Sequence, residues 1–152
     1  MPKIDIDKIA FKAVGGYPEP FKSVLDKREK KQLGDAVGLT QFGVNITRLR
    51  AGGASSLRHW HRDEDEFVFV LEGEVVLTED SGETVLKAGD AAGWKANSPN
   101  GHTLSNRGTR DALVLEVGTR AATEHVTYPD VDLLLLRDAA GRRYTHKNGE
   151  PY

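Results

Sequence analysis

The 152-residue chain contains no cysteine, which excludes disulfides, thiolate metal sites and cysteine nucleophiles together. Neither sign of charge is in excess. With 21 Lys and Arg against 23 Asp and Glu, nothing points to nucleic acid or an anionic membrane as a partner. Long apolar runs are also missing: none approaches the roughly 20 residues that a membrane-spanning helix needs. The N-terminus, Met1-Pro2-Lys3-Ile4-Asp5, lacks the apolar stretch of a secretory signal. A cytoplasmic protein is therefore the expectation. No serine stands in a nucleophile elbow, and Gly52-Gly53 leads into a strand pattern rather than the helix that a phosphate loop requires. The length suits one domain with a sizeable core and is too short for two ordinary ones.

What remains is β-type. From about Thr40 to Thr119 the chain consists of short apolar runs broken by turn signals, the pattern of a sandwich or barrel. Phe42 to Leu49 alternates as a strand does. Glu72-Gly73-Glu74 is a tight turn between the runs 66–71 and 75–78, and no apolar stripe of helical period appears in this region. Residues 1–39 read as an N-terminal arm, in which Phe21 to Leu33 is expected to make a helical turn or two with a solvated charged face. Residues 120–152 read as a C-terminal extension, a hairpin packed on the barrel exterior followed by a looser tail. Phe67-Val68-Phe69-Val70-Leu71 is apolar on both faces. One face should line the barrel, while the other needs a cover from the terminal arms or from a second subunit.

The chemistry concentrates in Gly53–Gly73, GASSLRHWHRDEDEFVFVLEG. His59 and His61 stand at i and i+2, the spacing with which a strand presents two imidazoles on one face. Glu66 follows a charged turn and opens the next strand, so it can face back across a hairpin. His102 is a fourth candidate in Pro99-Asn100-Gly101-His102. Three imidazoles and one carboxylate suit a divalent transition metal with positions left open for water or substrate. The neighbours carry plainer expectations. Trp60, between the histidines, points the other way, into core or interface. Trp94 is expected to pack rather than wall a site, and Arg58 and Arg62 to face solvent. Asp63, Glu64 and Asp65 are expected to serve solubility in a turn. Gln41 and Asn45 share a strand face, as hydrogen-bonding groups behind the site or towards water. Asn106 should hold a turn, and His125 and His146 should lie outside any site.

The spacing G-x5-H-x-H-x4-E-x6-G from Gly53 to Gly73 resembles the complete first motif of the cupins, and His102-x3-Asn106 is similar to the end of their second. In the usual form of that second motif, G-x5-P-x-G-x2-H-x3-N, the proline and glycine positions fall here on Lys95 and Asn97. The histidine comes two residues late, an insertion in which Pro99 and Gly101 make the turn. The resemblance covers roughly residues 40–118, within a barrel spanning 40–119. It implies an all-β double-stranded β-helix, or jelly-roll cupin barrel, with N- and C-terminal extensions. It also implies a homodimer and one divalent transition metal (Fe, Mn, Zn, Ni or Cu) held by His59, His61, Glu66 and His102. Cupin chemistry spans isomerases, dioxygenases, decarboxylases and lyases as well as non-catalytic storage and sensor domains, so the fold does not choose the reaction. The expectation is a metal-dependent enzyme acting on a small oxygen-rich metabolite, such as a keto acid or sugar derivative, by isomerase- or dioxygenase-type chemistry. The alternative is a small-molecule binding or sensing domain. No general base can be named from the sequence.

Overall fold

Residues 3–152 are described by the structure, a computed structural model of the chain. Across these described residues the alternating runs become twelve strands, all paired antiparallel. In chain order they are β1 (Arg28–Gln32), β2 (Phe42–Leu49), β3 (Trp60–His61), β4 (Glu66–Glu72), β5 (Glu74–Glu79), β6 (Gly82–Lys87), β7 (Ala91–Trp94), β8 (Thr103–Ser105), β9 (Ala112–Thr119), β10 (Glu124–Tyr128), β11 (Leu133–Asp138) and β12 (Gly141–Thr145). One sheet has the order β1-β2-β9-β4-β7. Opposite it lie a three-stranded sheet, β6-β5-β8, and a four-stranded one, β12-β11-β10-β3. The backbone bridges Ala54↔Ser105 and His59↔His102 join those two into one wall. The spacing of turns led to the expectation of a sandwich or barrel, and the architecture is the jelly-roll barrel that the cupin resemblance implied. No described helix is long and apolar enough to cross a membrane.

The run Phe21 to Leu33 meets the helical expectation only at its ends: Lys22–Leu25 is a 3-10 helical turn and Leu33–Ala36 an α-helical one, but Arg28–Gln32 between them is strand β1. The cause is tertiary. β1 pairs with β2 at five positions, from Arg28↔Leu49 to Gln32↔Asn45, and Glu29 bonds across the ladder to Arg48 and Arg50. A paired strand with charge-complementary neighbours outweighs the helix preference of Lys, Glu and Gln. Nor are these charges all solvated: Arg28 and Lys30 face the barrel cavity.

Two core clusters follow from the alternation. Leu49, Val70 and Val114 are fully buried in the first, with Val68, Val75, Leu77 and Leu104. Val126, Tyr128, Leu133 and Leu135 form the second. Along the inner face of the larger sheet the residues change from apolar to polar. Val70 pairs with Val114, Val68 with Glu116, and Glu66 with Gly118. One end of the barrel is therefore plugged and the other is chemically equipped. The expected C-terminal hairpin is present, but β10 pairs directly with β3 (Val126↔His61, Thr127↔Trp60), so this segment walls the cavity.

The two glycines that bound the first motif have steric reasons. A Cβ on Gly53 would lie 2.9 Å from the Lys27 carbonyl, and Gly73 has a φ of +78° with the Asp111 carbonyl 3.1 Å from a built Cβ. Outside the barrel, Phe67 and Leu71 remain 44% and 42% exposed. The N-terminal arm covers only the β1–β2 end of that face, where Phe11 packs under Lys31 and Arg48.

Candidate metal centre

His59 and His102 are brought together by the backbone. Each donates its N–H to the other's carbonyl, at 3.1 and 2.9 Å, which places the two rings 4.9 Å apart. His61, two residues on, shares the face of His59, with ring centroids also 4.9 Å apart. Glu66 enters from the opposite sheet as the first residue of β4. Its Oε2 lies 2.8 Å from His102 Nε2, 3.6 Å from His61 Nε2 and 3.8 Å from His59 Nε2. The structure thus brings the four residues singled out in the sequence to one place: His59, His61 and Glu66 offer ligand atoms within 4.8 Å of one another, and His102 joins them through Glu66. The loop that departs from the usual second motif still performs its job. Asn97, at the glycine position, takes a φ of +59°, a conformation that asparagine tolerates better than most residues. Its N–H donates to the His61 carbonyl at 2.9 Å.

The outer nitrogens explain the orientation of the rings. His59 Nδ1 lies 2.9 Å from the Leu57 carbonyl and 3.1 Å from Ser56 Oγ. His102 Nδ1 faces the Asn100 carbonyl at 3.4 Å, and His61 Nδ1 faces Glu124 Oε2 at 3.4 Å. For His59 and His61 an Nδ1–H turned towards an acceptor leaves the Nε2 lone pair for the interior, whereas His102 Nε2–H donates to Glu66 Oε2 at 2.8 Å. His59 and His61 then point Nε2 atoms at each other, 3.1 Å apart. Two lone pairs at that distance repel unless a proton or a metal ion lies between them, and the three imidazoles with the Glu66 carboxylate are a donor set that fits a divalent metal.

The electrostatics agree. Burial pushes His59 down to about 3, and the neighbouring His61 and His102 add to that against the pull of Glu66, so its imidazole is neutral. Burial alone would raise the Glu66 carboxyl. The His102 hydrogen bond and the surrounding imidazoles outweigh burial and hold Glu66 well below the ordinary carboxylate range. For His61 burial works downward, but the Glu124 hydrogen bond, Glu66 and Glu64 prevail and leave it raised.

Three neighbours differ from expectation. Trp94 stacks on His102, with centroids 3.8 Å apart and planes 6° apart, so it walls the site; its Nε1 donates to Glu79 at 2.7 Å. Arg58 does not float in solvent, because Asp80 and Asp130 hold it from two sides. Glu64 is not merely a turn residue: it turns inward, pairs with Arg137 and reaches within 3.9 Å of His61 Nδ1. Other expectations match the structure. Asn106 is buried and donates to the Leu49 and Arg110 carbonyls. His146 sits outside the cavity beside Asp132, and His125 alternates with the inward-facing Glu124 and Val126.

The four side chains open onto a cavity of about 260 Å³. Sequence reasoning missed most of its polar walls. Glu124 comes from β10, Lys30 from β1 pairs with Glu116 on β9, and Arg28 and Arg142 line the side formed by β1 and β12. Alternation alone places Glu116 and Glu124 inward among apolar neighbours (Val114-Glu116; Glu124-Val126-Tyr128), and that was the available signal.

Comparison with known proteins accords with this architecture. A model of the Cupin domain family matches residues 45–118. Among solved structures, a sugar phosphate isomerase of the cupin superfamily from Silicibacter pomeroyi DSS-3 is 46% identical, covering 99% of this chain and 96% of its own, with a TM-score of 0.95. A protein from Acidithiobacillus ferrooxidans ATCC 23270, named as a candidate sugar phosphate isomerase, is 30% identical over 82% of this chain and 80% of its own, with a TM-score of 0.75. A polyketide cyclase from Streptomyces resistomycificus, 16% identical over 78% of this chain and 79% of its own, shares the fold, with a TM-score of 0.64. No curated protein matches the chain.

Proposed function

The chain belongs to the cupin family, and from that premise we propose that it is a metal-dependent isomerase of a small, oxygen-rich sugar derivative. His59, His61, Glu66 and His102 are its metal ligands. One observation carries the reading: the converging ligand atoms open onto a cavity whose walls hold carboxylates and cations rather than apolar side chains alone. A binding or sensing domain has no need of proton-moving groups beside its ligand. The names of two solved relatives, one a sugar phosphate isomerase and the other a candidate one, lend support.

A divalent ion bound there would polarise a carbonyl and its neighbouring hydroxyl. The remaining work belongs to the protein. Isomerisation moves a proton between adjacent carbons, which requires a base that takes it from one and returns it to the other. Glu116 is assigned this role. Lys30 bonds its Oε2, and no described residue of the chain bonds its Oε1. Trp94 and Tyr128 flank the histidines and limit the entry of water. Glu124 holds the His61 ring from behind.

The test is solvent-deuterium exchange into aldose and ketose candidates by the metal-loaded protein. Incorporation at the carbon that loses its proton, abolished in Glu116→Gln with metal content unchanged, is the expected result. Tight binding of such compounds without exchange would instead assign a non-catalytic binding domain. We also infer a homodimer, with a second copy covering Phe67 and Leu71 on the outer face of β4, where the chain's own arm does not reach.

A further inference from the structure

The arginines of this chain fall into two sets. Among the described residues, eight of the eleven have a carboxylate partner. Of the three without one, Arg110 lies in the loop before β9, and the other two, Arg28 and Arg142, line the same cavity. Their surroundings are unusual for cations. Arg28 is half-buried and donates to two backbone carbonyls, those of Ser55 (2.6 Å) and Val14, while its Nε is buried with no partner at all. Carbonyl dipoles solvate that charge but do not neutralise it. Arg142 stands directly across the β11–β12 ladder from Arg137. Like charges opposite one another on a sheet are destabilising. Glu64 neutralises Arg137, whereas Arg142 has only the Tyr144 hydroxyl and ring beside it.

The placement gives these charges a purpose. β1 and β12 are the edge strands of the two facing sheets. A smaller chamber of about 200 Å³ opens between them, sharing Tyr17, Arg28, Lys30 and Arg142 with the main cavity and lined by no histidine. The site therefore has two chemically distinct ends. One gathers imidazoles and a carboxylate around a place for a cation, and the other holds two guanidinium groups with no counter-ion.

We propose that Arg28 and Arg142 form an anion subsite that receives the phosphate monoester of the substrate, while its carbonyl end lies at the histidines. A planar guanidinium presents paired N–H donors that match a phosphate's oxygens, and two guanidiniums without a carboxylate partner match its double negative charge better than the single charge of a carboxylate. The subsite rests on the reading of this cavity as a substrate site and gives that substrate its charged end.

The experiment uses the full metal-loaded protein and calorimetric titration at constant ionic strength. Four probes are compared: inorganic phosphate, acetate, glucose 6-phosphate and glucose. Phosphate should bind and acetate should not, and the phosphorylated sugar should bind at least ten-fold more tightly than its parent. Arg142→Gln, at an exposed position that carries no core packing, should weaken phosphate and sugar phosphate at least ten-fold while leaving metal content and glucose affinity unchanged. Arg142→Lys should restore part of the loss, and Arg28→Gln, if it folds, should repeat it. Equal binding of acetate and phosphate, or unchanged phosphate affinity in Arg142→Gln, would overturn the subsite. The two readings separate cleanly. A sugar phosphate isomerised with unaltered KM by Arg142→Gln sinks the subsite and leaves the isomerase. Phosphate binding that is lost in Arg142→Gln, in a protein that exchanges no sugar proton, keeps the subsite and sinks the isomerase.

Discussion

At the scale of single residues, the candidate centre depends on what lies behind each ligand as much as on the ligands. The raised His61 imidazole keeps its proton into a higher pH range than an ordinary histidine, because Glu124, Glu66 and Glu64 outweigh the effect of burial. A metal competes with that proton. Uptake should therefore weaken as pH falls through the range where His61 protonates, whereas His59, lowered to about 3, costs nothing until strong acid. Glu124→Gln should shift the onset of metal loss to lower pH, measured by metal titration across a pH series; an unmoved onset would separate Glu124 from His61. The ligand set was legible because His59, His61 and Glu66 lie close together in the sequence and period-two alternation turns both histidines the same way; the expected hairpin is not formed, since β3 and β4 are unpaired and Glu66 meets the histidines from the facing sheet. Glu124 was not legible, because its contact with His61 spans 63 residues of chain and depends on β10 pairing with β3.

At the scale of elements, turn chemistry was the dependable signal. Gly73 closes β4 onto β5 with a positive φ and backbone close by. Gly73→Ala should lower unfolding stability by about 1–3 kcal/mol. Gly16→Ala, with open space around the built Cβ and no positive φ, should raise it by about 0.4–1 kcal/mol. Paired denaturation curves would check both, and equal losses would remove the steric argument. β1 shows where local reading stops. Arg-Glu-Lys-Lys-Gln has the composition of a solvated helix, and only the ladder to β2 makes it a strand with one face in the cavity. Lys30 and Arg28 were hidden for that reason alone. The Lys30–Glu116 pair is also structurally sensitive. Lys30→Met leaves a mostly buried carboxylate alone, a loss of about 3–5 kcal/mol when such a pair is broken from one side.

At the scale of the whole molecule, the plugged end supports the open one. Leu49 is fully buried in the core beneath the site, and Leu49→Ala should cost about 2–5 kcal/mol in thermal or chemical unfolding. The β4 outer face bears on assembly: Phe67→Glu should convert a dimer to a monomer in sedimentation equilibrium without lowering metal content, and a wild-type monomer would remove the proposed second copy. The barrel itself was readable from strands and turns, and its ends were distinguishable once Glu66 and the histidines were placed. The most direct single measurement is metal per chain by elemental analysis, on the wild type, His61→Ala and His125→Ala purified without an affinity tag. Near one divalent transition ion per chain in the wild type and His125→Ala, with a strong loss in His61→Ala, is the expected result. Equal metal in all three, or a wild-type site that takes up no added metal, would contradict the assignment of His59, His61, Glu66 and His102 as a metal centre.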